Sequence, residues 1–411
     1  MKKILITATV QSHICQFHIP FIKHLKKMGY TVDVAAKNNL SQKPGLKLDC
    51  ADRVFDVPFA RSPFSASNIK AYKELKQILK ENDYDIIYCN TPMGSVITRL
   101  AAAKYRKSGT KVIYTAHGFH FFRGAPVKNW FMYYPIEKIM AHFTDTLITM
   151  NREDLRFAIR KLCVPNIEYI HGIGFDKDKF SNIDQSKRTE VRKGFGIPEN
   201  AEVMISVGEL NNNKNQISVI EAMKQLGDDN LYYIICGNGP NAEMLHEKAK
   251  EYGLDKKIIF PGYRRDLDVL FSAADIFIHT SFREGLPLSP LEAMASGLKP
   301  VCSNIRGIKD IVSDGETGLL IDPHSIQDIA EKIKQARNWQ PEKQSVKTVT
   351  DMYSSENVVK ELVNVLENTL KLQSGFYNSS RFVSECRTQK LKGTPEEKKP
   401  KAYAETNDLS A

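Results

Sequence analysis

The sequence predicts an α/β protein built from two Rossmann-like domains. Three observations predict it. First, Ala274-Asp-Ile-Phe-Ile-His279 is a short apolar run, followed by a loop, a helical stretch and a second apolar run, Leu298-Lys-Pro-Val-Cys-Ser303. Strand, loop, helix, strand is the βαβ unit of a parallel sheet. Second, the same alternation begins at residue 2. Third, it breaks at the polar stretch Ser181–Arg192 and restarts at Val203. A chain of 411 residues suits two or three domains at roughly 100–200 residues each.

In order, residues 2–10 read as the first strand and Val10–His18 as the loop after it. Ile19–Met28 reads as a helix closed by Gly29, and Tyr30–Ala36 as the second strand. That first loop lacks the GxGxxG of a dinucleotide fold and offers Gln11, His13 and His18 instead. Either histidine reads as a surface loop residue or as a site residue. Asp52–Pro58 is a short strand, Ser67–Asn82 a Lys-rich amphipathic helix, Asp85–Asn90 a strand and Ser95–Lys107 a helix. Lys111–Ala116 is a strand ending in His117-Gly118-Phe-His120. In parallel sheets ligands sit at the carboxyl ends of the strands, which favours His117 as a site residue over a core histidine. His120 follows it. Phe121–Phe143 mixes aromatic and basic side chains, which suits a membrane interface or a helix packed on its own domain. Thr146–Met150 and Ile167–Ile170 complete this half, and Gly172-Ile-Gly174 loosens the chain before the boundary.

Residues 181–345 repeat the plan. Val203–Val207 is a strand ending at Gly208, with Lys214 in the loop beyond and a helix over Ile217–Gln225. Leu231–Cys236 is a strand followed by Gly237-Asn-Gly239-Pro240. Glu243–Glu251 is a helix, Lys257–Phe260 a strand, and Arg264 and Arg265 follow it. Asp314-Gly315-Glu-Thr-Gly318 reads as a turn and Asp322–Arg337 as a helix. Apolar residues at helical spacing over 346–372 give a terminal helix. Residues 373–411 are polar and read as disordered; the Asn378-Ser-Ser380 sequon within them should be silent in cytoplasm.

Charge separates the halves. Residues 1–180 hold 28 Lys+Arg against 15 Asp+Glu, and the remainder 30 against 33, so the net +10 comes from the first half. That asymmetry suits an anionic partner there. The basic residues are dispersed and no recognition motif appears, which argues against nucleic acid. Seven cysteines without a CxxC pair read as reduced residues of a cytoplasmic protein. No metal-ligand cluster is visible, and no run approaches the roughly 18 apolar residues of a membrane span. The start of the chain is a strand rather than a signal peptide, its apolar run being too short.

The chemistry centres on Glu284 and Glu292, with seven residues between them in Glu284-Gly-Leu-Pro-Leu-Ser-Pro-Leu-Glu292. Glu284 sits in a loop at a strand's carboxyl end. Glu292 has two readings: a ligand residue, or the acidic member of a capping box with Ser289.

Together these residues resemble a retaining GT-B glycosyltransferase of glycosyltransferase family 4, and more narrowly the sugar transferases of bacterial capsule and exopolysaccharide clusters. The ExxxxxxxE spacing, Gly208…Lys214, Gly237-Asn-Gly-Pro and Thr115-Ala-His-Gly-Phe-His-Phe-Phe122 carry the likeness, over about residues 1–370. It implies two facing Rossmann-like domains with a cleft between them and a C-terminal crossover helix. It implies a nucleotide-sugar donor, UDP-linked by expectation, held by Gly208, Lys214, Gly237, Gly239, Arg264, Arg265, Glu284, Gly285, Leu286, Leu288 and Glu292. Glu284 would meet sugar hydroxyls, Glu292 the ribose, Lys214 the diphosphate, and His117 would stand near the reacting carbon. Gln11, His13, His18 and His120 would lie on the acceptor or phosphate side, with a lipid-diphosphate-linked saccharide as acceptor and an anionic membrane under the basic half. No metal and no cofactor are expected; the Asp83/Asp85 triplet opens a strand at the wrong edge. Three departures stand out: Glu209 where the family usually has Arg, Pro287 where it often has Gly, and no Gly-Gly in the first loop. Two alternatives stand beside this reading: an epimerase or hydrolase of the same fold acting on the nucleotide sugar without an acceptor, and an inactive assembly subunit, which Glu209 and Pro287 leave open.

Overall fold

A computed structural model describes residues 2–43 and 45–372. The expected tail disorder, the Asn378 sequon and Cys386 lie outside the described residues. The first sheet holds β1 (Lys3–Val10), β2 (Thr31–Lys37), β3 (Arg53–Asp56), β4 (Ile86–Asn90), β5 (Lys111–Ala116), β6 (Thr146–Thr149) and β7 (Asn166–Tyr169). It is parallel throughout, in the order β3-β2-β1-β4-β5-β6-β7. The second holds β8 (Glu202–Val207), β9 (Leu231–Cys236), β10 (Ile258–Gly262), β11 (Ile276–His279), β12 (Lys299–Ser303) and β13 (Leu319–Ile321), parallel in the order β10-β9-β8-β11-β12-β13. Central strands such as β4 and β5 are buried along their whole length, the pattern of parallel strands covered on both faces.

The helices in the first half are α1 (Gln11–Phe17), α2 (Ile19–Lys27), α3 (Ser67–Glu81), α4 (Pro92–Arg106), α5 (Val127–Met140) and α6 (Arg152–Lys161). Next come α7 (Lys177–Ser181), α8 (Lys187–Gly194), α9 (Gln216–Leu226), α10 (Ala242–Glu251), α11 (Leu267–Ser272) and α12 (Ser289–Ala295). The chain closes with α13 (Ile326–Asn338), α14 (Lys343–Met352) and α15 (Ser355–Lys371).

The structure corrects two expectations. Residues 11–17 form α1 instead of a loop: the segment has no Gly or Pro, and Ile14 is buried among the residues beneath the sheet. The terminal stretch is two helices broken at Tyr353–Ser354, where Ser355 N–H donates to Phe175 O at 2.9 Å and draws the chain back to the segment joining the sheets. Cys15, Cys50, Cys89, Cys236 and Cys302 are free.

α14 packs on α12 in the second domain, while α15 packs on α2 in the first. Val358, Leu362, Val365 and Leu366 join the core containing Ile4, Ile6 and Phe21. Each buried Val or Leu contributes roughly 1.5–3 kcal/mol, so α15 is an integral crossover rather than a tail. Glu361 fastens its start: the His171 N–H donates to Oε2 at 2.9 Å, and His171 Nδ1 lies 2.6 Å from Oε1. The topology turns the carboxyl ends of β1, β4 and β5 toward those of β8 and β11. The contacts that close the two edges together run between residues 117–119 and 285–306.

Candidate active site

On the second domain, the loop after β8 is tied to the loop after β11. Phe282 N–H donates to Asn213 O at 2.9 Å, and Asn213 Nδ2 donates to Arg283 O at 2.9 Å. Thr280 Oγ1 donates to Asn215 O at 2.9 Å. These bonds set Lys214 against Glu284, and Lys214 Nζ donates to Glu284 Oε1 at 2.7 Å. His279 Nε2 lies 3.4 Å from the same oxygen. Burial pushes the Glu284 carboxyl upward, but His279 and Lys214 outweigh it and hold it at about 2. The glutamate is thus a fixed anion. The placement rule that singles out His117 also fits His279, at the end of its own parallel strand, although its apolar run marks it only as strand.

Glu292 behaves oppositely. The capping residue of α12 is Leu288, Ser289 lies inside the helix, and no side chain caps it. The capping-box reading therefore fails, because the helix starts one residue too early for it. Among the described residues the Glu292 carboxylate has no hydrogen-bond donor, and burial pushes it up to about 7, with Lys179 opposing. A half-buried acid without a hydrogen-bond partner, in the first turns of the helix after β11, is the pattern of a ligand group rather than of a structural one.

Glycines let backbones meet where side chains could not. A Cβ on Gly237 would lie 1.8 Å from Gly208 O, so the glycines after β8 and β9 pack the two loops on each other. Gly239 is likewise pressed against Leu210. A Cβ on Gly285 would lie 2.1 Å from His117 O, so the residue beside Glu284 abuts the backbone of the facing domain. Leu286 reaches both cores and Leu288 packs into the second. Arg306, which carries no signal in the sequence, locks this closure. Its guanidinium pairs with Asp154, donates to Phe119 O at 2.8 Å, and lies 4.2 Å over the Phe122 ring. Arg264 is engaged by Asp266 at 2.8 Å. Arg265 runs against Gly45 of the first domain, and its carbonyl accepts from Lys179 Nζ at 3.2 Å. Glu209 is exposed and accepts from Asn211 Nδ2 at 3.0 Å.

On the first domain, His117 Nε2 lies 3.2 Å from Asn90 Oδ1. His13 and His18, remote from it in sequence, come to it: the ring centroids of His13 and His117 are 4.9 Å apart, and those of His13 and His18 5.3 Å. His18 is not a surface residue but 1% exposed. Burial lowers the His13 pKa to about 4, and burial with the neighbouring imidazoles takes His18 and His117 well below the ordinary range. Gln11 is buried and donates to Ala36 O at 3.4 Å. His120 is exposed and stacks on Tyr133 at 4.7 Å. A cavity of about 230 Å³ is lined by Thr91, Tyr114, His117, His120, Tyr133 and Glu137. A larger one, about 560 Å³, opens by Asp275 and Lys299 at the amino-terminal edge of the second sheet, away from Glu284.

Known proteins match this plan. Residues 3–151 match the family described as Glycosyl transferase 4-like, and residues 187–349 that described as Glycosyl transferases group 1. The chain is 39% identical over 338 residues to the Bacillus subtilis (strain 168) protein named "Putative glycosyltransferase EpsD", covering 81% of this chain and 87% of that one. It is 30% identical over 291 residues to the UDP-Gal:alpha-D-GlcNAc-diphosphoundecaprenol alpha-1,3-galactosyltransferase of Escherichia coli, covering 68% and 73%. Among solved structures, Anabaena Alr3699/HepE in complex with UDP and glucose superposes with a TM-score of 0.71 at 20% identity, over 90% of this chain and all of that one. A glycosyltransferase from Rickettsia africae gives 0.74 at 18%, over 90% and 99%. With a fixed carboxylate–lysine pair on one Rossmann-like domain, a histidine on the other and a crossover helix between them, the chain belongs to the GT-B glycosyltransferases of the group 1, type 4 family.

Proposed function

We propose that the protein moves a sugar from a UDP-linked donor to a lipid-diphosphate-linked saccharide in bacterial exopolysaccharide or capsule synthesis, with retention of configuration. The observation that carries this reading is the pairing of Lys214 with Glu284 beside the partnerless Glu292, facing His117. The donor would exchange the Lys214–Glu284 bond for two others: Lys214 to the diphosphate and Glu284 to sugar hydroxyls. Glu292 would bind the ribose. As the glycosidic bond to phosphate breaks, negative charge builds on the leaving diphosphate, and Lys214 with the first N–H groups of α12 stabilises it electrostatically. These donors supply the charge stabilisation that a metal would otherwise give at that step. Retention would follow if the acceptor attacks from the face of the departing phosphate, which takes the acceptor's proton as the bond to the sugar breaks.

The acceptor side of the proposal draws on the cavity beside His117 and on α5. That helix carries apolar side chains on every side, yet only one face is packed: Trp130, Tyr133 and Tyr134 lie on the core, while Val127 is 70% and Phe131 77% exposed. Exposed apolar side chains with Lys128 and Lys138 suit an anionic bilayer surface. No helix among the described residues is long and apolar enough to cross a membrane. The E. coli relative's name, with its diphosphoundecaprenol-linked substrate, supports this class of acceptor, and the UDP held by the Anabaena protein supports a uridine donor.

The test is a thermal-shift panel of nucleotide sugars on the wild type and Glu292→Gln, with product analysis on any donor that binds. The expected result is that one uridine sugar stabilises the wild type, that Glu292→Gln loses this response while folding normally, and that sugar appears on a lipid-linked acceptor. Turnover of the donor without acceptor would point to the epimerase or hydrolase. Binding without turnover would point to the inactive subunit.

A further inference from the structure

We infer that His13, His18 and His117 form a site for one divalent transition-metal ion at the sheet edge of the first domain. One ligand nitrogen from each imidazole can be chosen so that all three lie within 4.8 Å of one another. Zinc sites hold nitrogen at about 2.0–2.1 Å in tetrahedral geometry, which sets ligand atoms roughly 3.3 Å apart. Small ring rotations close that difference, and α1 carries His13 while His18 follows its last turn, so two of the ligands move on short local torsions.

A second observation points to a ligand independently. Both ring nitrogens of His18 and Nε2 of His13 are buried with no hydrogen-bond partner. A buried polar group left unsatisfied destabilises the fold, and edge-to-face packing of the rings, as between His13 and His117, leaves those nitrogens as they are. An ion bound at the centre of the three would satisfy one nitrogen on each ring. With Asn90 Oδ1 accepting from His117 Nε2, the His117 ring keeps one lone pair, and Asn90 takes the orienting role that outer partners play for ligating histidines. Three imidazoles favour zinc, copper, nickel or cobalt over magnesium or calcium. Three protein ligands also leave the fourth position to water or another oxygen ligand, as in open rather than closed zinc sites. The expectation of a metal-free chain does not extend to this cluster, which is separate from the donor loop holding Lys214 and Glu284.

The experiment strips the full-length chain with chelator and titrates it with Co²⁺, whose visible absorption reports tetrahedral coordination, then displaces it with Zn²⁺. The expected result is one equivalent with a tetrahedral spectrum. His13→Gln and His117→Gln should each weaken it by more than about tenfold while their melting curves stay cooperative. His18→Gln should do the same if it folds; the other two variants decide the matter if it does not. The absence of a one-equivalent site, or a site of unchanged affinity in both His13→Gln and His117→Gln, overturns the inference.

Discussion

The two edges of the cleft are built on the same parallel-strand plan but carry opposite chemistry. The second domain's edge is ionic, with Lys214 and Glu284 paired at 2.7 Å and His279 beside them. The first domain's edge is neutral, with three imidazoles of which His13 Nε2 and both nitrogens of His18 are buried without a partner. The difference teaches that each edge was shaped by what it must hold. An edge that handles a developing charge keeps its own charges fixed before the reaction. An edge that meets a hydroxyl or an ion keeps lone pairs available.

The comparison can be broken first where the edges meet. Arg306→Met removes the guanidinium from buried Asp154 and should cost about 3–5 kcal/mol, as breaking one side of a buried pair does. Chemical denaturation checks it, and small-angle scattering should show the two domains further apart. Next in size, Lys214→Met should lower kcat by about 10²–10³, the effect of removing one preorganised donor. A matching loss confined to KM would instead assign Lys214 to uniform binding.

The two glutamates sharpen the contrast within one edge. Glu284 sits at about 2, below the ordinary 4.5, so it stabilises the fold above pH 4.5 and loses that contribution as pH falls toward 2. Glu292 sits at about 7, above 4.5. The folded state then binds more protons than the unfolded one between those values, so stability falls as pH rises through that window and the penalty is complete above 7. Each contribution is worth up to about 3 kcal/mol. Glu292→Gln should therefore make the protein more stable than wild type at pH 8 and nearly equal to it at pH 4, while Glu284→Gln should be less stable at pH 8. Melting temperatures across that range test both signs. The smallest effect is expected at α5: Phe131→Ser should change stability within about ±0.5 kcal/mol yet reduce cosedimentation with anionic vesicles. Unchanged cosedimentation would remove α5 from the proposed membrane face.

Much of this is legible in the chain. Strand runs such as Lys111–Ala116 and Leu231–Cys236 match their observed bounds, because a strand buried on both faces is a continuous apolar run in the sequence. Glu284, Lys214 and His117 are legible because strand ends and the loops after them are where a parallel sheet presents side chains. α1 reads as a loop because two polar residues open it and two histidines flank its apolar centre. Arg306 and Asp154 are invisible in the sequence because neither shows a local signal: they acquire a role only when two domains close on each other.

By itself, then, the sequence determined the two parallel sheets, their strand ends and the loops that bear charge, since hydrophobic period and turn chemistry act over a few residues. Tertiary structure alone decided which charges meet. It put Lys214, 70 residues away, onto Glu284, denied Glu292 its cap, and brought His13 and His18 to His117. Pairing and desolvation depend on neighbours remote in the chain, and those neighbours exist only once the helices and sheets have packed.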